Sequence, residues 1–127
     1  MLAQNEIDEW ARGYIEAYER PDPSLGRDEL SPYVDGLMPG SDLTEPDDVW
    51  KIVLAVLSLK PSDKVVSVLA AGPLEDLINE HGATYIERIE IEARGNPEFR
   101  HLLGGLWRCS NRDIWSRIEK ARVGIAW

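Results

Sequence analysis

The chain has 127 residues, 43% hydrophobic and 29% charged, a balance expected of one folded domain over 1–127 and unlike that of disordered or fibrous chains. With a net charge of −9, no apolar run near the ~18 residues needed to cross a bilayer, and no basic-then-apolar leader at Met1–Glu6, the sequence argues against a membrane or secreted protein. The lone cysteine, Cys109, excludes an internal disulfide framework, so the expected address is cytoplasmic.

Ile7, Trp10, Ala11, Tyr14 and Tyr18 recur at the spacing of one helical stripe and predict a helix over about 5–19, ended by Pro21 and Pro23. Residues 20–44 hold Pro21, Pro23, Pro32, Pro39 and three glycines, which reads as a long connection with one short helix around 27–37. Thr44-Glu45-Pro46-Asp47-Asp48 has the form of a helix start, with proline in the first turn and acids against the positive end of the dipole. The helix it opens, to about residue 59, is apolar around most of its circumference and is expected at the centre of the core. Pro61-Ser62-Asp63 then supplies a stop and a new N-cap for a helix through Val65, Val66, Val68 and Leu69, which Gly72-Pro73 should break near residue 71.

Leu74, Leu77 and Ile78 predict a short helix closing at His81-Gly82, and Thr84-Tyr85-Ile86-Glu87 matches a capping box opening another over 85–94. Asn96-Pro97-Glu98 starts the next, expected to turn Phe99, Leu102, Leu103, Leu106 and Trp107 inward. Asn111-Arg112-Asp113 starts the last, with Trp115 and Ile118 on its apolar face. On this pattern Trp10, Trp50, Trp107 and Trp115 face the core and only Trp127 is free. No segment alternates at period two, so the predicted fold is all-α: a compact bundle of antiparallel helical hairpins with about five to seven helices and no sheet.

The supply of soft metal ligands is His81, His101 and Cys109, too few for a zinc site. Glu98-x-x-His101 lacks the second pair that a di-iron bundle requires, so neither metal nor cofactor is expected. Cys109, between Trp107 and Trp115, reads as a small core residue rather than a nucleophile. No nucleophile elbow or phosphate loop is present. An enzymatic reading would have to assemble around Glu75, Asp76 and His81 at the Gly72-Pro73 break, whereas first-turn acids and a histidine at a helix end also suit the helix dipole. The chain is therefore expected not to be an enzyme.

Charge is distributed unevenly. Residues 1–50 carry 13 acids against three arginines, whereas 51–127 are nearly balanced and 99–127 are locally basic. Such blocks create fields that steer partners of opposite sign. The leading expectation is a protein-binding domain that engages a basic partner through Asp42, Glu45, Asp47 and Asp48. The alternative is a nucleic-acid-binding regulator with a helix-turn-helix-like C-terminal pair setting Arg112, Arg117 and Lys120 on phosphates, though the chain's overall acidity opposes it. The oligomeric state is left open.

The stretch Leu69-Ala70-Ala71-Gly72-Pro73-Leu74-Glu75-Asp76-Leu77, followed by His81-Gly82, Ile86, Ile89-Glu90, Phe99-Arg100 and Leu102-Leu103-Gly104-Gly105-Leu106-Trp107, resembles a family of uncharacterised bacterial proteins over about residues 46–120. The resemblance carries no activity with it. It implies a bacterial source, in which small acidic domains are often immunity or inhibitor partners, such as neutralisers of a toxin.

Overall fold

The computed structural model describes residues 2–19, 33–34, 36–37 and 41–122; it is all-α, with no strand among the described residues. Helix α1 spans Gln4–Glu19 and buries Ile7, Ala11 and Tyr14 of the expected stripe together with Gly13, while Trp10 and Tyr18 pack half-buried against the core. Helix α2, Pro46–Ser58, starts as its sequence requires: Glu45 is the N-cap, Pro46 fills the first turn where no amide is needed, and the Glu45 N–H donates to Asp48 Oδ2 at 2.9 Å. Its buried set runs from Asp48 to Leu57 and takes up most of the helix surface. Ser62 caps α3, Asp63–Leu69, by accepting from the Val65 N–H. Asn96 Oδ1 accepts from both Glu98 and Phe99 N–H at the start of α5, which spans Pro97–Leu103 when α4, Glu75–Gly95, is counted before it. Asn111 Oδ1 does the same for Ile114 N–H at the start of α6, Arg112–Arg122.

Gly72-Pro73 does not break the chain. Residues Ala70–Leu74 form a single π-helical turn that joins α3 to α4. Proline lacks the amide and crowds the carbonyl four residues back; widening the turn by one residue relieves both problems without ending the helix. Pro73 and Leu74 are buried there, so core packing holds the turn. At His81-Gly82 the two helical runs expected on either side are both present, but they meet directly at a kink where His81 leaves helical geometry (φ −137°, ψ 25°), so α4 is one kinked element with Thr84 exposed in its second run. Gly82 instead permits close packing of α6: a Cβ at that position would lie 3.0 Å from Ser110 Oγ and 3.1 Å from Ile114 Cδ1.

Trp107 is 75% exposed, against the expectation that it faces the core. The helical stripe cannot be extrapolated to it, because α5 ends at Leu103 and a turn at Gly104-Gly105 re-aims the chain so that Leu106 goes inward. Most of the 20–44 connection and Trp127 fall outside the described residues, as does the short helix expected around 27–37 apart from Tyr33 and Val34, which are helical, and Gly36 and Leu37, which form a turn.

The two most extensively packed helix pairs run in the same direction, not as antiparallel hairpins. Leu2 N–H donates to Asp48 Oδ1 at the start of α1 and α2, while Glu19 accepts from Ser62 N–H at their other end. Along α4 and α6, Gly82 meets Ile114, and eight residues further along α4 Glu90 meets Arg117. Short loops favour antiparallel neighbours, but neither pair is joined by one: α1 reaches α2 through the long connection, and α4 reaches α6 by way of α5. Trp50 of α2 packs against α5 and α4, 5.6 Å edge-to-face from Phe99 and 5.9 Å from Tyr85.

Candidate functional site

A cleft of about 170 Å³ opens where the start of α2 faces the π turn and the kink of α4. Its apolar floor is Leu37, Val49, Pro73 and Leu77; Glu45, Asp76, Glu80 and His81 stand around it. Local sequence chemistry places each wall. The N-cap geometry of α2 sets Glu45, the π turn presents Pro73, and Asp76 and Glu80 share a face because they are one helical turn apart. Thr44 Oγ1 donates to the Gly36 carbonyl, which holds buried Leu37 against this end of α2.

The cleft thus sets three carboxylates and a histidine around an apolar floor. Burial pushes the Asp76 carboxyl above the ordinary carboxylate range, and the charge of Glu80 adds to the effect. Glu75 is raised as well, first by burial and then by Asp76, but it does not line the cleft and instead lies near Cys109. The set Glu75, Asp76 and His81 is therefore split, with only the last two reaching one space. Glu80 was not singled out from the sequence, although its spacing from Asp76 was legible there.

Asp42, Glu45, Asp47 and Asp48 do not form one acidic face. Asp42 and Glu45 are exposed, but Asp48 is 1% exposed and spends its carboxylate on the Leu2 and Glu45 amides. That burial takes Asp48 out of reach of a partner. Asp47 accepts from the Tyr85 hydroxyl and from Arg88 Nη1 at 3.0 Å, and these two bonds hold its carboxyl below the usual range. Along α1, Glu6 accepts from Ala3 N–H, Glu9 from the Tyr33 hydroxyl and Glu19 from Ser62 N–H. Much of the N-terminal acidity thus caps helices and tethers elements to each other.

Two of the C-terminal bases are similarly engaged. Arg117 makes two hydrogen bonds to Glu90, and Arg122 lies 5.0 Å over the Trp115 ring with a long bond to the Leu103 carbonyl. Cys109 is buried, and desolvation, assisted by the charge of Glu75, pushes its thiol up to about 11, the opposite of activation. Among the described residues no group of three or more His, Cys, Asp or Glu side chains is placed to hold a metal ion, and no helix is long and apolar enough to cross a membrane.

Comparison with curated proteins and with solved structures finds no match. A family of unknown function, DUF6869, matches residues 22–125, a span that includes the π turn, the kinked helix and both walls of the cleft. On that match, the chain belongs to the DUF6869 family.

Proposed function

We propose that this chain is a non-enzymatic protein-binding domain that receives a basic segment of its partner in the cleft between α2 and α4. The observation that carries this reading is the composition of the cleft: an apolar floor suited to an aliphatic or aromatic stem, rimmed by Glu45, Asp76 and Glu80. A partner lysine or arginine can lay its methylenes on such a floor and its charge among the carboxylates. Relative to the expectation from sequence, the binding set moves from Asp42, Glu45, Asp47 and Asp48 to Glu45, Asp76, Glu80 and His81. In its finer form the reading is of an immunity or inhibitor protein of the bacterial cytoplasm, supported by the small size and the acidity. Of the three bases that the nucleic-acid reading would set on phosphates, Arg117 is already paired within the fold.

The test is fluorescence anisotropy with labelled peptides that differ only in replacing arginine and lysine by citrulline and norleucine. The basic peptides are expected to bind the wild type in a salt-sensitive manner and to lose that binding in an E45Q/D76N/E80Q variant that retains its helical circular dichroism. Equal binding of basic and neutral peptides, or unchanged binding by the variant, sinks the proposal.

A further inference from the structure

About ten residues beyond the cleft on α4, or ~15 Å at the helical rise per residue, the charge reverses. A second cavity, of about 250 Å³, is bounded by Glu90, Ala93 and Arg94 of α4, Arg100 of α5, and Lys120 and Ala121 of α6. Three helices each contribute one cation to it. Its single carboxylate, Glu90, is already clasped by two donors of Arg117.

Three cations thus line the cavity against one carboxylate that a fourth, Arg117, already pairs with, in a protein that carries 23 acids and only 14 lysines and arginines. Arg100 is held in place by the bond from its Nη1 to the Ala93 carbonyl at 3.0 Å, and the rest of its planar fork has no described acceptor. Neither Arg94 nor Lys120 makes a hydrogen bond or close ion pair with another described residue; both are exposed at the rim. Glu90 lies among them, and the charges of Arg94 and Lys120 help Arg117 to hold its carboxyl below the usual range, so one anion offsets part of the repulsion; a positive excess remains, and guanidinium and ammonium groups around a small concavity are the donor set that oxyanions take. The cavity is smaller than the roughly 300 Å³ at which pockets for larger organic ligands begin.

We infer that the cavity lined by Arg94, Arg100 and Lys120 binds a small doubly charged phosphate-type oxyanion, either free phosphate or a phosphate monoester. Ala93 and Ala121 lie in the last turns of α4 and α6, so part of the positive charge offsets those carbonyl ends; Arg100, already oriented, supplies the fixed contact to the anion while Arg94 and Lys120 close from the rim. The site is independent of the acidic cleft and needs no assumption about what binds there.

The test is a titration of the full chain with inorganic phosphate and, separately, with phenyl phosphate, at ionic strength held constant with chloride. Binding is read by calorimetry and by amide chemical shifts, in the wild type and in an R94Q/K120Q variant; both substitutions are at exposed positions, so the fold is retained. Saturable binding is expected, with shifts centred on Glu90–Arg94, Arg100 and Lys120, and affinity at least about tenfold weaker in the variant, the loss of two charge-assisted contacts. Tighter binding of phenyl phosphate would identify the esterified form and tighter binding of inorganic phosphate the free ion. If chloride produces the same shifts as phosphate, or the variant binds as well as the wild type, the three cations only offset the negative ends of α4 and α6 and the inference is overturned.

Discussion

The two ends of α4 use charge in opposite ways. At its start, Asp76 and Glu80 crowd together with Glu45 over an apolar floor; at its end, Arg94, Arg100 and Lys120 crowd around a carboxylate that Arg117 has already taken. Neither concentration follows the uneven split of formal charge along the sequence. Among the described acids of the first 50 residues Glu45 alone lines the cleft, and its side chain also takes the Asp48 amide in the capping box of α2; Glu6, Glu19 and Asp48 satisfy helix-terminal or loop amides and Asp47 is bound by Tyr85 and Arg88. Net charge describes the long-range field, whereas a site depends on which charges remain after the backbone has taken its share.

This contrast between structural and site acids can be broken experimentally. The largest effect is expected from Asp48→Ala, which removes a buried carboxylate accepting two amides and should cost about 2–3 kcal/mol of stability in urea unfolding. An unchanged midpoint would mean that Asp48 is not structural.

Next, Tyr85→Phe should cost about 1 kcal/mol at neutral pH by deleting one hydrogen bond to Asp47. Because the Asp47 carboxyl is depressed by the Tyr85 and Arg88 bonds, its contribution is fully present above the ordinary carboxylate value of about 3.9 and is lost as pH falls through the lower folded-state value. The variant's stability should therefore fall less steeply over that acid window. The Tyr85 hydroxyl itself is pushed up to about 12, chiefly by burial, and so remains a donor throughout the range.

The smallest effect has the opposite sign. The carboxyl of Asp76 is raised by burial and by Glu80, so its ionisation destabilises the fold above the folded-state value, and the penalty vanishes below the unfolded one. Asp76→Asn should accordingly raise the thermal midpoint slightly at pH 7, with the gain fading below about pH 4. A gain in stability combined with weaker binding of basic peptides is the trade expected of a group kept for binding. A loss of stability at neutral pH would place Asp76 among the structural acids.

Much of the fold was legible residue by residue. Glu45-Pro46, Ser62, Asn96-Pro97 and Asn111 each mark a helix start with a proline in the first turn or a side chain that takes nearby backbone amides, and the structure begins α2, α3, α5 and α6 at those points. Such signals act over three or four residues, so the sequence by itself determined the all-α class and most helix starts.

What it left open was whether a local signal would be used once the chain packed. Gly72-Pro73 and His81-Gly82 are breakers by composition, yet Pro73 and Gly82 are buried, and packing around them converts one breaker into a π turn and the other into a kink. Leu106 is buried as expected, but Trp107 lost its expected place in the core because α5 ends at Leu103 and the turn at Gly104-Gly105 re-aims the chain. Both cavities also depended on tertiary structure. Glu45 and Asp76 are 31 positions apart, Arg94 and Lys120 are 26 apart, and only the packing of α2 and α6 against α4 brings each pair together. Caps are decided by contacts between neighbours in sequence, whereas sites are decided by contacts between helices.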